Sequence, residues 1–317
     1  MKAVILDAYT TIVNDDSLWN PLRQIAKTTV FHRTERNEIV ERCKDAEIII
    51  TNKVVIDAEI ISQLPHLRYI GVLATGYNVI DTETAKQHGI VVANVPAYST
   101  MSVAQMVWAH ILNITNRVGY YAEENKNGRW TNSKDFCYYD FTHHELAGKT
   151  FGVVGLGNTG MAAAQIAIAF GMNVNAYTSK KTLPKGIRSV SFDELFSQSD
   201  IISLHCPLTP QTKELINKDS LAKMKSSAIV INTSRGPVVN EADVADALKN
   251  GRIAAFAADV VSSEPPSADT PLLSAPNCFL TPHIAWATKE ARERLIDITI
   301  ANVKAFANGH PINQVNL

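Results

Sequence analysis

The stretch that most constrains this 317-residue chain is Thr150-Phe151-Gly152-Val153-Val154-Gly155-Leu156-Gly157-Asn158-Thr159-Gly160. An apolar run leads into three spaced glycines. An alanine-rich segment over 161–170 follows and stops at Gly171. This is strand, tight turn and helix in immediate succession. A strand that feeds a helix in this way returns to a parallel neighbour, and parallel sheets are covered on both faces. The spacing also has a chemical reading. Gly155 permits the tight turn, Gly157 lets the backbone approach a pyrophosphate, and Gly160 lets the helix lie close on the strand. Asn158 and Thr159 sit where the helix opens, and its N–H groups and dipole favour an anion. The alternative is a plain strand-to-helix turn that uses glycine for its dihedrals alone.

The same alternation runs through the rest of the chain. Strand-like runs at 4–6, 48–50, 69–73 and 90–93 form a first series, with helical segments around 35–45 and 81–88. A second series comprises 150–154, 173–177, 201–204, 228–232, 254–259 and 278–281, six strands, which is the count of a complete doubly wound dinucleotide domain. Between them, 99–125 is helical in pattern, with Val103, Met106, Val107, His110 and Ile111 at three- and four-residue steps. A strong helix over 288–308 is stopped by Gly309 and Pro311. The second sheet is complete before that helix, so the simplest arrangement returns it to the first sheet. The expected fold class is α/β, with two doubly wound parallel-sheet domains.

Charge and cysteine usage narrow the partners. Thirty Lys+Arg against 31 Asp+Glu give a formal charge of −1, so no net field is available to hold a nucleic acid. No apolar run reaches the ~20 residues that a bilayer span needs, so no membrane partner is expected. The four cysteines (Cys43, Cys137, Cys206, Cys278) form no C-x-x-C pair, and no metal site is expected. Residues 1–7 run directly into a strand-like stretch without the form of a leader peptide, and a reduced, cytoplasmic chain is expected.

The strand expected at 173–177 is followed by Thr178-Ser179-Lys180-Lys181. An NAD-preferring site carries an Asp or Glu at such a strand end, to accept from the ribose 2′-hydroxyl. Two hydroxyls and two lysines stand there instead and suit a 2′-phosphate. The bland reading is that Lys180 and Lys181 are a solvated surface pair.

Three further segments follow: Asn232-Thr233-Ser234-Arg235-Gly236, Asp259-Val260-Val261-Ser262-Ser263-Glu264-Pro265-Pro266 and Thr281-Pro282-His283-Ile284-Ala285-Trp286. With the glycine motif, Leu73-Ala74-Thr75-Gly76-Tyr77-Asn78 and Glu145-Leu146-x-Gly148-Lys149, they resemble the D-isomer-specific 2-hydroxyacid dehydrogenase family over nearly the whole chain. His283-Ile284-Ala285-Trp286 and Trp130-x-x-x-x-Asp135-Phe136-Cys137 are most similar to its glycerate dehydrogenase (hydroxypyruvate reductase) branch.

The resemblance implies an NAD(P)-dependent oxidoreductase that interconverts a small D-2-hydroxy acid and its 2-keto acid, with glycerate and hydroxypyruvate the favoured pair. It implies a Rossmann cofactor domain over 99–286 and a smaller, flavodoxin-like, discontinuous substrate domain over 1–98 and 287–317, with the active cleft between them. It also implies a homodimer formed through 99–130. By position, Arg235 matches the substrate-binding arginine, Glu264 the acid that pairs with the catalytic histidine, and His283 that histidine. Ala74, Thr75 and Gly76 match a loop whose amides hold the substrate carboxylate. Asp259 matches a residue that contacts the nicotinamide carboxamide. His205, Cys206 and Pro207 match the segment lining the adenosine side, and Thr233 and Ser234 fall in the same cofactor set. Trp286 reads as a cleft-lining, subunit-contact or core aromatic. The branch often uses NADH. The absent acid at Thr178 departs from that pattern and favours NADP(H), with both cofactors accepted.

The chemistry supports the main roles independently. Reducing a 2-keto acid takes a hydride and a proton for the nascent alkoxide. Histidine, with an unperturbed pKa of about 6.5, suits the proton step. A carboxylate on its other nitrogen fixes the tautomer and stabilises the imidazolium. An arginine fork can clamp a carboxylate. Each residue alone has a dull alternative: a turn histidine, a solvated loop acid, an arginine near a helix end. Two rivals share the fold, a nucleotide-sensing corepressor-like protein and a formate dehydrogenase. The formate branch carries an amide where this chain has Glu264.

Overall fold

Runs such as Ile48-Ile49-Ile50 and Ala255-Phe256-Ala257-Ala258 are apolar at every position, which suits strands covered on both faces. In the computed structural model, which describes residues 1–11 and 15–317, both are buried strands of all-parallel sheets. The chain divides into two units, Met1–Ser99 with Trp286–Leu317, and Thr100–Ala285.

The first unit holds β1 (Lys2–Ile5), β2 (Lys27–Val30), β3 (Ile48–Thr51), β4 (Tyr69–Val72) and β5 (Val91–Ala93), in the order β2-β1-β3-β4-β5. Sequence pattern misses β2. Its residues, Lys-Thr-Thr-Val, are at most half-buried on an edge, where no apolar run is required. The helix expected over 35–45 is shorter, a 3₁₀ turn at Arg36–Glu38 running into Ile39–Cys43. Glu35 and Glu38 form a capping box that fixes its start. The helix Lys289–Ala307 belongs to this unit. Leu295, Ile296 and Val303 share a core with Ile5, Ile48 and Tyr69, and the Phe306 ring lies 4.8 Å from that of Tyr69. Asn316 ties down the tail, accepting from Val92 N at 2.9 Å and donating to Ile90 O at 2.8 Å.

The second unit holds β6 (Thr150–Val154), β7 (Asn173–Tyr177), β8 (Ile187–Ser189), β9 (Ile201–Leu204), β10 (Ile229–Asn232), β11 (Ala255–Ala258) and β12 (Cys278–Leu280), in the order β12-β11-β10-β9-β6-β7-β8. The six expected strands are therefore seven. The additional one, Ile187-Arg188-Ser189, is an edge strand with one buried residue. The helix expected over 99–125 is two, Thr100–Asn116 and Val118–Lys126, because Arg117 takes a left-handed φ of 52° between them. The first of these lies against Asn158–Ala169. Buried Ala163, Ala164 and Ala167 allow close approach, Trp108 Nε1 donates to Ala163 O at 3.1 Å, and the Trp108 ring stacks on Phe170 at 4.7 Å. The connections leave β6 outward through β7 and β8, and outward the other way through β9. The carboxyl ends of β6 and β9 thus flank the switch point, where open α/β sheets bind ligands. Among the described residues no helix is long and apolar enough to cross a membrane.

Candidate active site

Gly155 follows β6 at that switch point with φ 89°. A Cβ there would come within 2.9 Å of the His205 and Cys206 backbone, which follows β9. A Cβ on Gly160 would lie closer than 3.0 Å to the Gly155 carbonyl oxygen. The fold itself therefore requires both glycines. Gly157 differs. Its φ is −72°, and nothing lies within 4 Å of where its Cβ would be. It caps the helix Asn158–Ala169 without a side-chain cap, so the first-turn amides, including those of Asn158 and Thr159, have no helical acceptor. This is a concave amide cradle that a side chain would fill, and it fits the pyrophosphate of a dinucleotide.

His205 N donates to Val154 O at 2.8 Å, which locks the two loops together. The His205 ring shares a 2.8 Å hydrogen bond with Ser203 Oγ, and burial pushes its imidazole down to about 4. Cys206 is buried and its thiol is pushed up by burial, which suits a packing residue. Pro207 is exposed. Beyond β7, Thr178 is half-buried and its hydroxyl accepts from Lys180 N at 3.3 Å, while Ser179, Lys180 and Lys181 are exposed.

The remaining residues of the second unit lie beyond β10, β11 and β12. Asn232 ends β10 and is buried. Its Oδ1 accepts from Ser234 N (3.0 Å) and Ser234 Oγ (2.9 Å), and its Nδ2 donates to Arg235 O (3.0 Å), so it shapes the loop that presents Arg235 to solvent. Thr233 Oγ1 is buried without a hydrogen-bond partner among the described residues. His283 Nδ1 lies 2.6 Å from Glu264 Oε2, and Val261 N donates to Glu264 Oε1 at 3.2 Å. Asp259 is only 1% exposed. It accepts from Ile284 N (2.9 Å), Ala285 N (2.7 Å) and Thr281 Oγ1 (2.6 Å). The sequence reading assigns no role to Asn232 or Thr281. Their signal is a polar residue closing an apolar strand, which needs a partner once buried.

Ala74, Thr75 and Gly76 follow β4 in the first unit. Val95 N donates to Ala74 O at 3.0 Å, Asn94 Nδ2 donates to Thr75 O at 2.7 Å, and Thr75 Oγ1 donates to Val95 O at 3.0 Å. Trp286 packs in that unit's core, edge-on to Tyr98 at 6.5 Å. Among the described residues no group of three or more His, Cys, Asp and Glu side chains could hold a metal ion.

Residues 108–285 match the family described as D-isomer specific 2-hydroxyacid dehydrogenase, NAD binding domain. The chain is 45% identical to a hydroxypyruvate reductase of Blautia hydrogenotrophica over 322 aligned positions, covering 100% of both chains. It is 43% identical to a glycerate dehydrogenase of Methylorubrum extorquens, over 88% of each. Among solved structures, an acyclic imino acid reductase in complex with NADPH and D-Arg superposes with a TM-score of 0.88 at 30% identity, over 99% of this chain and 100% of that one.

Proposed function

Because the chain belongs to the D-isomer-specific 2-hydroxyacid dehydrogenase family, we propose that it interconverts hydroxypyruvate and D-glycerate with a nicotinamide cofactor, His283 acting as the acid–base residue. The observation that carries this reading is the 2.6 Å contact between His283 Nδ1 and Glu264 Oε2. With Nδ1 held on a carboxylate, Nε2 is the atom that gives a proton to a forming alkoxide and takes it back in the reverse direction. Glu264 is itself held by Val261 N, and its charge stabilises the imidazolium formed in oxidation. A bound nicotinamide would supply or accept the hydride. Arg235 presents a planar fork suited to a carboxylate and its adjacent carbonyl. Ala74, Thr75 and Gly76 are assigned to the substrate carboxylate through their amides. The carbonyls of Ala74 and Thr75 are already taken by Val95 and Asn94. Two relatives named for these substrates, at 45% and 43% identity, favour the hydroxypyruvate–glycerate pair.

The cradle at Gly155, Gly157 and Gly160 holds the pyrophosphate. His205, Cys206 and Pro207 line the adenosine side, with Thr233 and Ser234 in the same cofactor set. NADP(H) is favoured and NAD(H) accepted. No acid at Thr178 repels a 2′-phosphate, and a structural relative at 30% identity is an NADPH complex. The exposure of Lys180 and Lys181 limits the gain, because solvent screens their charge. The chain works as a homodimer. Val118 and Trp130, within 99–130, are exposed, and Phe136 and Tyr139, just beyond it, are 90% and 74% exposed, apolar surface that a second copy would cover.

The test is a steady-state panel of 2-keto acids with NADH and NADPH, with sedimentation of the same samples. Turnover of hydroxypyruvate above glyoxylate and pyruvate supports the substrate assignment. Tight cofactor binding without turnover of any keto acid refutes the enzyme reading in favour of a nucleotide-sensing protein.

A further inference from the structure

His283 has an unusual backbone. It is a non-glycine residue at φ 54°, and its N–H donates to Thr281 O across a tight turn at 2.9 Å. Histidine enters this left-handed region more readily than most residues, but it is still a sparsely populated one that the surroundings must hold. The surroundings here are a set of buried polar groups, of which Ser102, His110 and Thr281 have no part in the proposed chemistry. Asp259 fastens the turn from one side, accepting from Thr281 Oγ1, Ile284 N and Ala285 N. The helix Thr100–Asn116 fastens it from another. Ser102 Oγ donates to Ala285 O, and His110 Nε2 lies 3.2 Å from Thr281 Oγ1. Ser102 and His110 are each 5% exposed.

The direction of the bonds follows from what each group can do. The Asp259 carboxylate only accepts, so the single Thr281 hydroxyl proton points to it. The Thr281 oxygen therefore accepts from His110, which places a proton on His110 Nε2. Burial holds the His110 imidazole below its ordinary value, against the pull of the Asp259 charge, so it is a neutral donor at neutral pH.

We propose that His110 and Thr281 are positioning residues for the reaction: with Asp259 they form a buried relay that holds the strained turn of His283, and with it the catalytic imidazole, in place. The relay acts through the 281–285 backbone. The proposal rests on the reading of His283 as the acid–base residue.

The test uses the full-length protein in four variants. Thr281→Val removes the hydroxyl at nearly constant shape, and Thr281→Ser restores it. His110→Leu removes the donor, and His110→Gln restores an N–H. Thr281→Val and His110→Leu are expected to lower kcat on hydroxypyruvate about tenfold to a hundredfold, the usual consequence of a catalytic group misplaced by about 1 Å. Thr281→Ser and His110→Gln should recover most of it, and the Kd for NADH should stay within about twofold throughout. The same two losses measured in a His283→Ala background should vanish, because the relay has nothing left to position. Wild-type kcat in both Thr281→Val and His110→Leu overturns the proposal, as does an equal further loss in the His283→Ala background. Should Thr281→Val not fold, His110→Leu carries the test, since it removes a single hydrogen bond. A fully active His283→Ala single variant overturns the underlying acid–base reading instead, which separates the two failures.

Discussion

Gly157→Ala tests the phosphate cradle directly, because at this glycine the protein and the proposed ligand make different demands. Nothing lies within 4 Å of the added methyl and φ is −72°, so the folded chain accepts alanine without strain. The stability terms are small and opposed. Alanine restricts the unfolded chain, worth about 0.4–1 kcal/mol, but is a poorer helix N-cap than glycine by a similar amount. The melting temperature should therefore hardly move. The methyl would stand over the helix N-terminus, where a pyrophosphate must approach the amides. Loss of one charge-assisted amide–phosphate hydrogen bond costs about 1.5–3 kcal/mol. At 1.4 kcal/mol per tenfold, NADH and NADPH should each bind about 10- to 150-fold more weakly. Gly160→Ala supplies the contrast. Its Cβ collides with the Gly155 carbonyl, so it should cost roughly 1–3 kcal/mol of stability as well as affinity. Fluorescence titration gives Kd and calorimetry gives Tm. A Gly157→Ala protein that binds both cofactors as tightly as wild type refutes the reasoning, because the space above the helix would then not be where the phosphates lie.

His283→Ala should lower kcat by about 10²–10⁴-fold while cofactor Kd is retained, measured by stopped-flow reduction of hydroxypyruvate. Arg235→Lys should weaken keto-acid turnover sharply with little change in Tm, since an ammonium cannot reproduce the fork; a main effect on folding would remove the clamp assignment. Thr178→Asp should shift kcat/KM from NADPH towards NADH, and an unchanged ratio would show that this strand end does not read the ribose. The His205 imidazole is pushed down to about 4 in the fold, against about 6.5 when unfolded. Its contribution is therefore fully present above pH 6.5 and lost as pH falls towards 4, by up to roughly 3 kcal/mol. His205→Gln should flatten that acid limb in a denaturant series, and an unchanged limb would place the sensitivity elsewhere.

The parallel-sheet architecture was legible because its central strands are continuous apolar runs, a pattern that burial on both faces imposes. The two strands that sequence misses lie where burial is incomplete. Lys27–Val30 and Ile187–Ser189 are edge strands with one covered face or less, and they carry no apolar run. The break at Arg117 was invisible for another reason. A single residue in left-handed geometry interrupts a helix without changing the spacing of the apolar residues on either side. Candidate site residues stand out in the sequence where chemistry narrows the choice of side chain: a glycine turn suited to a pyrophosphate, a histidine suited to a proton, an arginine suited to a carboxylate. Their support does not. Asn232 bonds the backbone three residues on, Ser102 the distant Ala285 carbonyl and His110 the distant Thr281 hydroxyl, and a buried Asn, Ser or His in an apolar sequence does not announce its partner.

The close approach at Gly236 explains why the Arg235 and Glu264 segments belong together. A Cβ on Gly236 would lie closer than 3.0 Å to the backbone of Val261 and Ser262, so the chain just after Arg235 packs directly on the chain just before Glu264. Val261 N in turn donates to Glu264 Oε1, and Glu264 Oε2 meets His283 Nδ1. Ser262 N is held by Glu241 Oε1 at 2.6 Å, which ties the same backbone to the helix Glu241–Lys249 that follows Arg235. Any side chain at 236 would push Val261 away and carry Glu264 with it. The carboxylate would leave the imidazole, although no residue of the Glu264–His283 pair had been altered. The three candidate side chains, 48 residues apart from Arg235 to His283, are therefore held in one mechanical frame. Its tolerance is set by the absence of a single methyl group at Gly236.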